Sequence, residues 1–150
     1  MEISLRAAVT EDIAFARDVY FDTMRWIIER LFGWDQAREE ENFDRFFEVD
    51  EVRIITVGGR NAGWIQTRAE RDSIYLASLY VAPAMQRQGI GAHVLRWLLE
   101  QAKKESKAVT LGVVKINPAL HFYERHGFRI THEDEYKFYM RIEPSGITLP

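Results

Sequence analysis

Two apolar segments separated by an amphipathic segment constrain the fold of this chain more than any other feature. Residues 73–82 and 109–116 are rich in β-branched, aromatic and leucine side chains, which favours buried strands. Between them, residues 89–106 place apolar side chains on one helical face: Ile90, Val94, Leu95, Leu98 and Ala102. A strand, a helix and a second strand in this order form a parallel pair through a right-handed crossover. The segment therefore predicts an α/β sheet.

The remaining segments predict a mixed, largely antiparallel sheet with helices on both faces. Alternating patterns predict strands at 3–7, 52–57, 62–67, 128–131 and 136–142, and Gly58-Gly59 predicts a hairpin turn. Thr10 is expected to cap a first helix ending near Gly33, and Asp35 a second one ending near Phe47. The predicted order is β-α-α-β-β-β-α-β-α-β-β, a single domain over residues 1–150.

Charge is unevenly distributed along the chain. There are 20 basic and 23 acidic residues, a net charge of −3, which argues against nucleic-acid binding. Residues 1–50 contain 13 acidic and 6 basic side chains, and residues 51–107 contain 5 and 9. The acidic third fits either a solvated helix face or a wall for a cationic substrate, beside a basic wall for an anionic one.

Several classes of site are excluded by composition. Cysteine is absent, which removes disulfides, thiol nucleophiles and thiolate metal sites. Neither an apolar run long enough for a membrane span nor a secretory leader pattern occurs, so we expect a cytoplasmic chain without a membrane partner. The four histidines lack the spacing of metal ligands, and we expect no metal site.

A glycine-containing segment joins the strand 73–82 to the following helix. It contains Gln86, Arg87, Gln88, Gly89, Ile90 and Gly91. Glycines let the backbone approach a ligand, and the first amides of a helix point outward at the positive end of its dipole, which favours a phosphate or pyrophosphate. A glycine pair at a helix start also occurs as simple steric accommodation. The dinucleotide-binding pattern would need a glycine at Val94, and no nucleoside-triphosphate loop occurs.

A second polar and aromatic segment follows the strand 109–116. Asn117 precedes Pro118, which is typical of a helix start, and Tyr123 follows on that helix. The Tyr123 ring fits a core position, and its hydroxyl equally fits a proton donor to a leaving group.

Together the two segments resemble the GNAT superfamily of acyl-CoA-dependent N-acetyltransferases. The first is similar to the family's Gln/Arg-x-x-Gly-x-Gly/Ala loop at Gln86, Gly89 and Gly91. The second is similar to its Asn…Tyr-Glu-x-x-Gly-Phe segment at Asn117, Tyr123, Glu124, Gly127 and Phe128. The similarity in element order covers residues 3–142, and it implies acetyl-CoA as co-substrate and an amine as acceptor.

The resemblance implies a role for each matching residue. Leu79, Tyr80 and Val81 would bind the pantetheine arm, and the Val81 amide would polarise the thioester carbonyl. The pyrophosphate would be bound by the amides of Gln88, Gly89, Ile90, Gly91 and Ala92, with positive charge from Arg87. Asn117 would contact the pantetheine, and Tyr123 would protonate the departing thiolate. The amine would attack directly in a ternary complex, which fits the absence of cysteine.

One feature of the family is missing. The strand 73–82 contains no Asp, Glu or His, whereas many members of the family place a carboxylate there to deprotonate the amine. The remaining candidates are water relayed by Ser78 or Tyr80, and the carboxylates of Glu29, Asp35, Glu133 and Asp134, each of which also fits an ordinary surface position.

The acceptor cleft in this family is formed by the first two helices and the last hairpin. In this chain these segments contain Trp26, Trp34, Tyr136, Tyr139 and the run Glu39-Glu40-Glu41, with Trp64 expected nearby. Aromatic rings beside carboxylates suit a small cationic amine. The alternatives are a protein N-terminus or lysine as acceptor, and a non-catalytic acyl-CoA-binding module. A homodimer that pairs residues 136–142 as an edge strand is also open.

Overall fold

The computed structural model describes residues 1–149 and contains the predicted succession of strands and helices. The elements are β1 Ile3–Ala7, α1 Ile13–Phe32, α2 Gln36–Phe46, β2 Val52–Val57, β3 Arg60–Ala69, β4 Ser73–Val81, α3 Ile90–Lys104, β5 Ala108–Val114, α4 Ala119–Arg125, β6 Arg129–Glu133 and β7 Lys137–Ile142. The predicted order is confirmed, and the boundaries agree to within two residues.

The strands form one seven-stranded sheet in the order β1-β2-β3-β4-β5-β7-β6. β4 and β5 are parallel, with Ser73 opposite Ala108, and β1–β2, β2–β3, β5–β7 and β6–β7 are antiparallel. The predicted mixed, largely antiparallel α/β sheet is thus confirmed. The prediction that residues 136–142 form an edge strand is wrong, because β7 lies between β5 and β6.

Contacts divide the chain into two compact units, residues 1–66 with 78–93, and residues 67–77 with 94 onward. The single domain predicted from the sequence stays a prediction. In the first unit, α1 and α2 contribute to an apolar core with β2 and β3. Its buried members are Ala16, Val19, Phe43, Phe47, Val52, Ile54 and Trp64.

The second unit has its own buried apolar side chains on α3, β5 and β7. They are Leu95, Leu98, Leu99, Ala102, Val109, Leu111, Val113, Met140 and Ile142. Lys103, in the last turn of α3, donates hydrogen bonds from Nζ to the carbonyl oxygens of Pro144 at 3.1 Å and Ile147 at 2.8 Å. This lysine therefore anchors the C-terminal segment.

The entrance to α1 differs from the predicted cap at Thr10. Residues Thr10–Asp12 form a 3-10 turn, and the Asp12 carboxylate accepts a hydrogen bond from Val9 N at 2.8 Å. The same carboxylate accepts two hydrogen bonds from Arg6, at 2.9 and 2.8 Å, and the Asp12 residue is only 6% exposed. The predicted cap at Thr10 is wrong, because Asp12 accepts these hydrogen bonds. Its partner Arg6 lies on β1, outside the segment from which a helix cap is predicted.

Replacement of Asp12 by Asn should lower the free energy of unfolding at pH 7 by about 1–3 kcal/mol, as for a charged hydrogen bond. The hydrogen bonds from Arg6, and then that from Val9, hold the pKa of Asp12 below its ordinary value. The stabilisation is therefore present above the unfolded pKa and is lost as the pH falls through the folded pKa. Denaturant unfolding at neutral and acidic pH measures it. Asp18→Asn, at an exposed position of α1, is the control and should change little; equal effects of the two variants would contradict the account.

Candidate active site

The end of β4 leads into a loop that folds back on the strand. After Val81 the chain makes a 3-10 turn over Pro83–Met85. The Gln86 side chain then donates a hydrogen bond from Nε2 to the Val81 carbonyl oxygen at 2.9 Å. Because this hydrogen bond joins the loop to the end of the strand, Val81 and Gln86 belong to one local structure.

Two residues of the loop have left-handed backbone conformations. Arg87 has a φ of 64° and Gly89 a φ of 80°. For a residue with a side chain this conformation costs about 1–2 kcal/mol, whereas glycine adopts it freely. α3 begins directly afterwards, and His93 N donates to the Gly89 carbonyl oxygen at 3.0 Å. The N–H groups in the first turn of α3 have no acceptor within the helix, which makes this loop the positive end of the helix dipole.

Gly63 brings β3 very close to the end of β4. A Cβ atom at this position would collide with the backbone carbonyl oxygen of Tyr80 and would lie 2.9 Å from Val81 Cα. Beside it, Ala82 N donates to the Ala62 carbonyl oxygen at 2.7 Å. Only glycine fits such a contact between two backbones, so Gly63 determines where the backbone of Tyr80 and Val81 lies.

Aromatic side chains from α1 and α2 pack beside Tyr80. The ring of Tyr20 lies 5.4 Å from that of Tyr80 and 5.2 Å from that of Phe46, edge to face in both cases. Trp64 lies 5.2 Å from Tyr80, but it is fully buried and donates from its indole nitrogen to the Ala16 carbonyl oxygen at 2.9 Å. Trp64 is therefore a core residue, and its expected place at an acceptor cleft is wrong.

Asn117 determines the start of α4 in the second unit. Its side-chain oxygen accepts a hydrogen bond from Ala119 N at 2.9 Å, and its carbonyl oxygen accepts one from Leu120 N at 3.1 Å. The helix starts at Ala119, one residue later than predicted, and Pro118 is its N-cap. Asn117 thus has a capping role beside any contact with a ligand.

Tyr123 is the buried residue of α4, with 8% of its surface exposed. Its ring lies 5.3 Å from Phe122 and 5.6 Å from Phe128, edge to face. Burial raises the pKa of the Tyr123 hydroxyl above its ordinary value, so the group stays protonated at neutral pH. A protonated hydroxyl is chemically able to donate a proton to a strongly basic leaving group.

The structure thus groups the predicted site residues in two sets. Leu79, Tyr80 and Val81 lie with the loop of residues 86–92 in the first unit, and Asn117 lies with Tyr123 in the second. The family of the chain follows from its sequence: residues 14–128 match the acetyltransferase (GNAT) family. The chain belongs to the GNAT acetyltransferase family. The resemblance inferred from the two motifs is confirmed, and the chain is an enzyme of the acyltransferase class.

Several solved structures have the same fold as this GNAT chain. PaiA N-acetyltransferase from Thermoplasma acidophilum, in complex with coenzyme A, is 18% identical with a TM-score of 0.79, covering 95% of this chain and 99% of that one. The ribosomal-protein-S18-alanine N-acetyltransferase from Escherichia coli is 21% identical with a TM-score of 0.70, covering 99% and 96%. Ard1 from Thermoplasma volcanium is 18% identical with a TM-score of 0.68, covering 95% and 98%. Comparison with curated protein sequences finds no significant match.

The carboxylates that the sequence offered as bases of this acetyltransferase all have structural partners. Glu29 pairs with Arg25 at 2.8 Å, and Asp35 caps α2 by accepting from Arg38 N at 3.0 Å. In the second unit, Glu133 pairs with Lys115 at 2.9 Å. The Asp134 carboxylate accepts hydrogen bonds from the Tyr139 hydroxyl and from the N–H groups of Lys137 and Tyr136, which lower its pKa.

Trp26, which is exposed, and Trp34, which is partly buried, each have an arginine over the ring. The Arg30 guanidinium lies 5.5 Å from the Trp26 ring centre, and that of Arg25 lies 4.6 Å from the Trp34 ring centre. Trp34 also donates from Nε1 to Gln36 at 2.9 Å. Each arginine makes with its ring the same kind of cation–π contact that an acceptor ammonium would make. The role of the two tryptophans in acceptor binding stays a prediction.

The run Glu39-Glu40-Glu41 is not a uniform solvated face. Glu39 is buried, at 4% exposure, and accepts a hydrogen bond from Arg38 Nε at 2.7 Å, whereas Glu41 is exposed and pairs with Arg45. The sequence pattern placed Glu39 in this run without distinguishing it from Glu40 and Glu41. Phe43 follows Glu39 by four residues, and this helical spacing, which places the carboxylate on the buried face of α2, is the pattern that distinguishes Glu39 from its neighbours.

Neither a metal-binding cluster nor a membrane-spanning helix occurs in the described part of the chain. Over residues 1–149, no three His, Asp or Glu side chains come close enough together to hold a metal ion. In the same part of the chain, no helix combines the length and the apolar composition needed to cross a bilayer.

Proposed function

We propose that this GNAT chain transfers the acetyl group of acetyl-CoA to a small cationic amine by direct attack in a ternary complex. The observation that carries the proposal is the loop in which Gln86 closes on Val81 and Gly89 leads into the N-terminus of α3. The coenzyme A complex of PaiA N-acetyltransferase, which shares the fold, supports the choice of co-substrate.

The pyrophosphate of acetyl-CoA requires several N–H donors and positive charge. The proposed donors are the amides of Gln88, Gly89, Ile90, Gly91 and Ala92. Left-handed residues before a helix start turn successive N–H groups toward a common anion, and the dipole of α3 adds a partial positive charge. Arg87 adds a full positive charge, and Gln86 holds the loop against the strand.

The proposed chemistry uses the strand end and the buried tyrosine. Leu79, Tyr80 and Val81 bind the pantetheine arm together with Asn117, and the Val81 amide donates to the thioester oxygen as negative charge develops there. Tyr123 donates a proton to the sulfur that leaves. The packing of its ring against Phe122 and Phe128, which holds the hydroxyl in place, supports this role.

Replacement of Gly89 by Ala should weaken acetyl-CoA binding about tenfold, because an alanine at this φ costs about 1–2 kcal/mol and the loop must move to relieve it. Isothermal titration measures the affinity. Gly59→Ala is a matched control: Gly59 has a φ of 82°, and at both positions a Cβ would meet nothing within 4 Å. Gly59→Ala should keep wild-type affinity, and unchanged binding by Gly89→Ala would refute the loop assignment.

The acceptor class is tested by thiol release from acetyl-CoA across a panel of acceptors. The panel contains ethylamine, 1,4-diaminobutane, tyramine, and peptides with a free N-terminus or a lysine. We expect turnover with the small amines and little with the peptides. Turnover confined to peptides would show a protein acetyltransferase, and acetyl-CoA binding without any turnover would show a binding module.

A further inference from the structure

Glu39 is a buried carboxylate to which no role has yet been assigned. Its Oε2 accepts a hydrogen bond from Arg38 Nε at 2.7 Å. Arg38 is fixed in turn, because its Nη2 donates to the Gly33 carbonyl oxygen at 2.6 Å and its backbone N–H to Asp35 at 3.0 Å. Within residues 1–149, no group donates a hydrogen bond to the other oxygen, Oε1. The carboxylate is thus held at one oxygen and available at the other.

The face of α2 that carries Glu39 points to the aromatic cluster beside β4. Phe43 and Phe46 follow Glu39 at helical spacing on this face, and their rings lie 6.0 and 5.2 Å from the ring of Tyr20. Burial, and then the negative charge of Glu39, raise the pKa of Tyr20 to about 12. The Tyr20 hydroxyl therefore stays neutral at physiological pH and within electrostatic reach of the carboxylate.

The same cluster adjoins the strand segment that we propose binds the thioester. The ring of Tyr20 packs edge to face on that of Tyr80 at 5.4 Å, and Tyr80 directly precedes Val81. Glu39, whose charge acts on Tyr20, therefore belongs to the same compact unit as the backbone that would hold the acetyl group. β4 supplies no acidic or histidine side chain of its own, since residues 73–81 contain none.

We propose that Glu39 is the base that takes the proton from the acceptor ammonium. This inference rests on the proposed function. Oε1 of Glu39 accepts one proton from the ammonium, and the neutral amine then forms the C–N bond as the C–S bond breaks. Tyr123 protonates the departing sulfur, the second proton of the nitrogen then passes through solvent to the Tyr123 oxygen, and Glu39 releases its proton to solvent. The balanced products are an acetamide, coenzyme A thiol and one proton.

A purely structural role and a catalytic role for Glu39 predict different losses of turnover when this residue is replaced. As a partner of Arg38, Glu39 would stabilise α2, and its loss would weaken turnover with every acceptor alike. As a base it is needed only for an acceptor that arrives protonated. An amine that is already neutral at pH 7 attacks without it, which separates the two roles.

The test compares Glu39→Gln with the wild type on two amines of the same shape. Ethylamine is protonated at pH 7, whereas 2,2,2-trifluoroethylamine is largely neutral. Glutamine keeps an acceptor for Arg38 but is no base, so kcat with ethylamine should fall about 10²-fold, at the lower end of general-base effects. With trifluoroethylamine kcat should stay close to wild type. Asp44→Asn, at an exposed position of the same helix, should leave both rates unchanged.

Equal losses of kcat on both amines, or no loss on either, would overturn the assignment of Glu39. If Glu39→Gln does not fold, Glu39→Asp decides, since it keeps the charge but shortens the side chain by one methylene. It should lower kcat with ethylamine more than with trifluoroethylamine, and equal losses on both amines would again refute the inference. Absence of wild-type turnover with both amines and with 1,4-diaminobutane would instead refute the proposed function itself.

Discussion

Replacement of Gly63 by Ala should both destabilise the protein and abolish most of its acetyl transfer. The new Cβ would collide with the carbonyl oxygen of Tyr80 and lie 2.9 Å from Val81 Cα, and neither backbone atom can rotate away. Overpacking of this kind typically costs about 1–3 kcal/mol of unfolding free energy, and more where backbones must separate. Relief by a shift of β4 would also displace the Val81 amide, and a misplaced oxyanion donor lowers kcat by about 10²-fold or more.

Thermal unfolding and thiol release measure the two effects of Gly63→Ala. Gly146→Ala is the control, because a Cβ there would meet Ile142 Cγ1 at an ordinary 3.6 Å. We expect the control to change the free energy of unfolding by less than about 0.5 kcal/mol. Wild-type stability and turnover in Gly63→Ala would show that β3 and β4 do not approach each other as described.

Replacement of Tyr123 by Phe should lower kcat about 10²-fold while acetyl-CoA affinity stays nearly unchanged. Phenylalanine keeps the edge-to-face contacts with Phe122 and Phe128. The raised pKa of Tyr123 comes from burial alone, so loss of the hydroxyl removes no stabilising charge interaction. The thiolate then leaves without a proton from the enzyme, which slows the chemical step and not the binding step.

Steady-state kinetics with a titration of acetyl-CoA tests the Tyr123 prediction. Tyr75→Phe, at a partly buried tyrosine of β4 with no proposed role, is the matched control and should keep wild-type kcat. Full turnover by Tyr123→Phe would remove this residue from the mechanism. A parallel loss of acetyl-CoA affinity would show that it acts in binding instead.

The order of strands and helices was predictable from the sequence because hydrophobic period and turn residues are local signals. The alternation in 136–142 and the helical period after Gly89 both correspond to elements of the structure. The place of β7 inside the sheet was not predictable, because an alternating pattern does not say how many neighbours a strand has. The same holds for Asp12, whose partner Arg6 is on another element.

The candidate site was predictable where its residues form contiguous motifs. Residues 86–92 and Asn117 with Tyr123 could be assigned roles through the family resemblance. Gly63 was missed because it matters through a contact distant in sequence, with Tyr80. Glu39 was named only as part of an acidic run, because its burial on α2 depends on tertiary packing. A glycine inside a strand and a carboxylate on an apolar helix face are the signals that would have pointed to them.

The most direct test of the central claim is mass spectrometry of ethylamine or 1,4-diaminobutane incubated with the enzyme and acetyl-CoA, with free thiol measured in the same sample. The proposed function predicts one acetylated amine for each thiol released, and formation of both products about 10²-fold more slowly in Tyr123→Phe. Thiol release without an acetylated amine, or neither product despite bound acetyl-CoA, would contradict it.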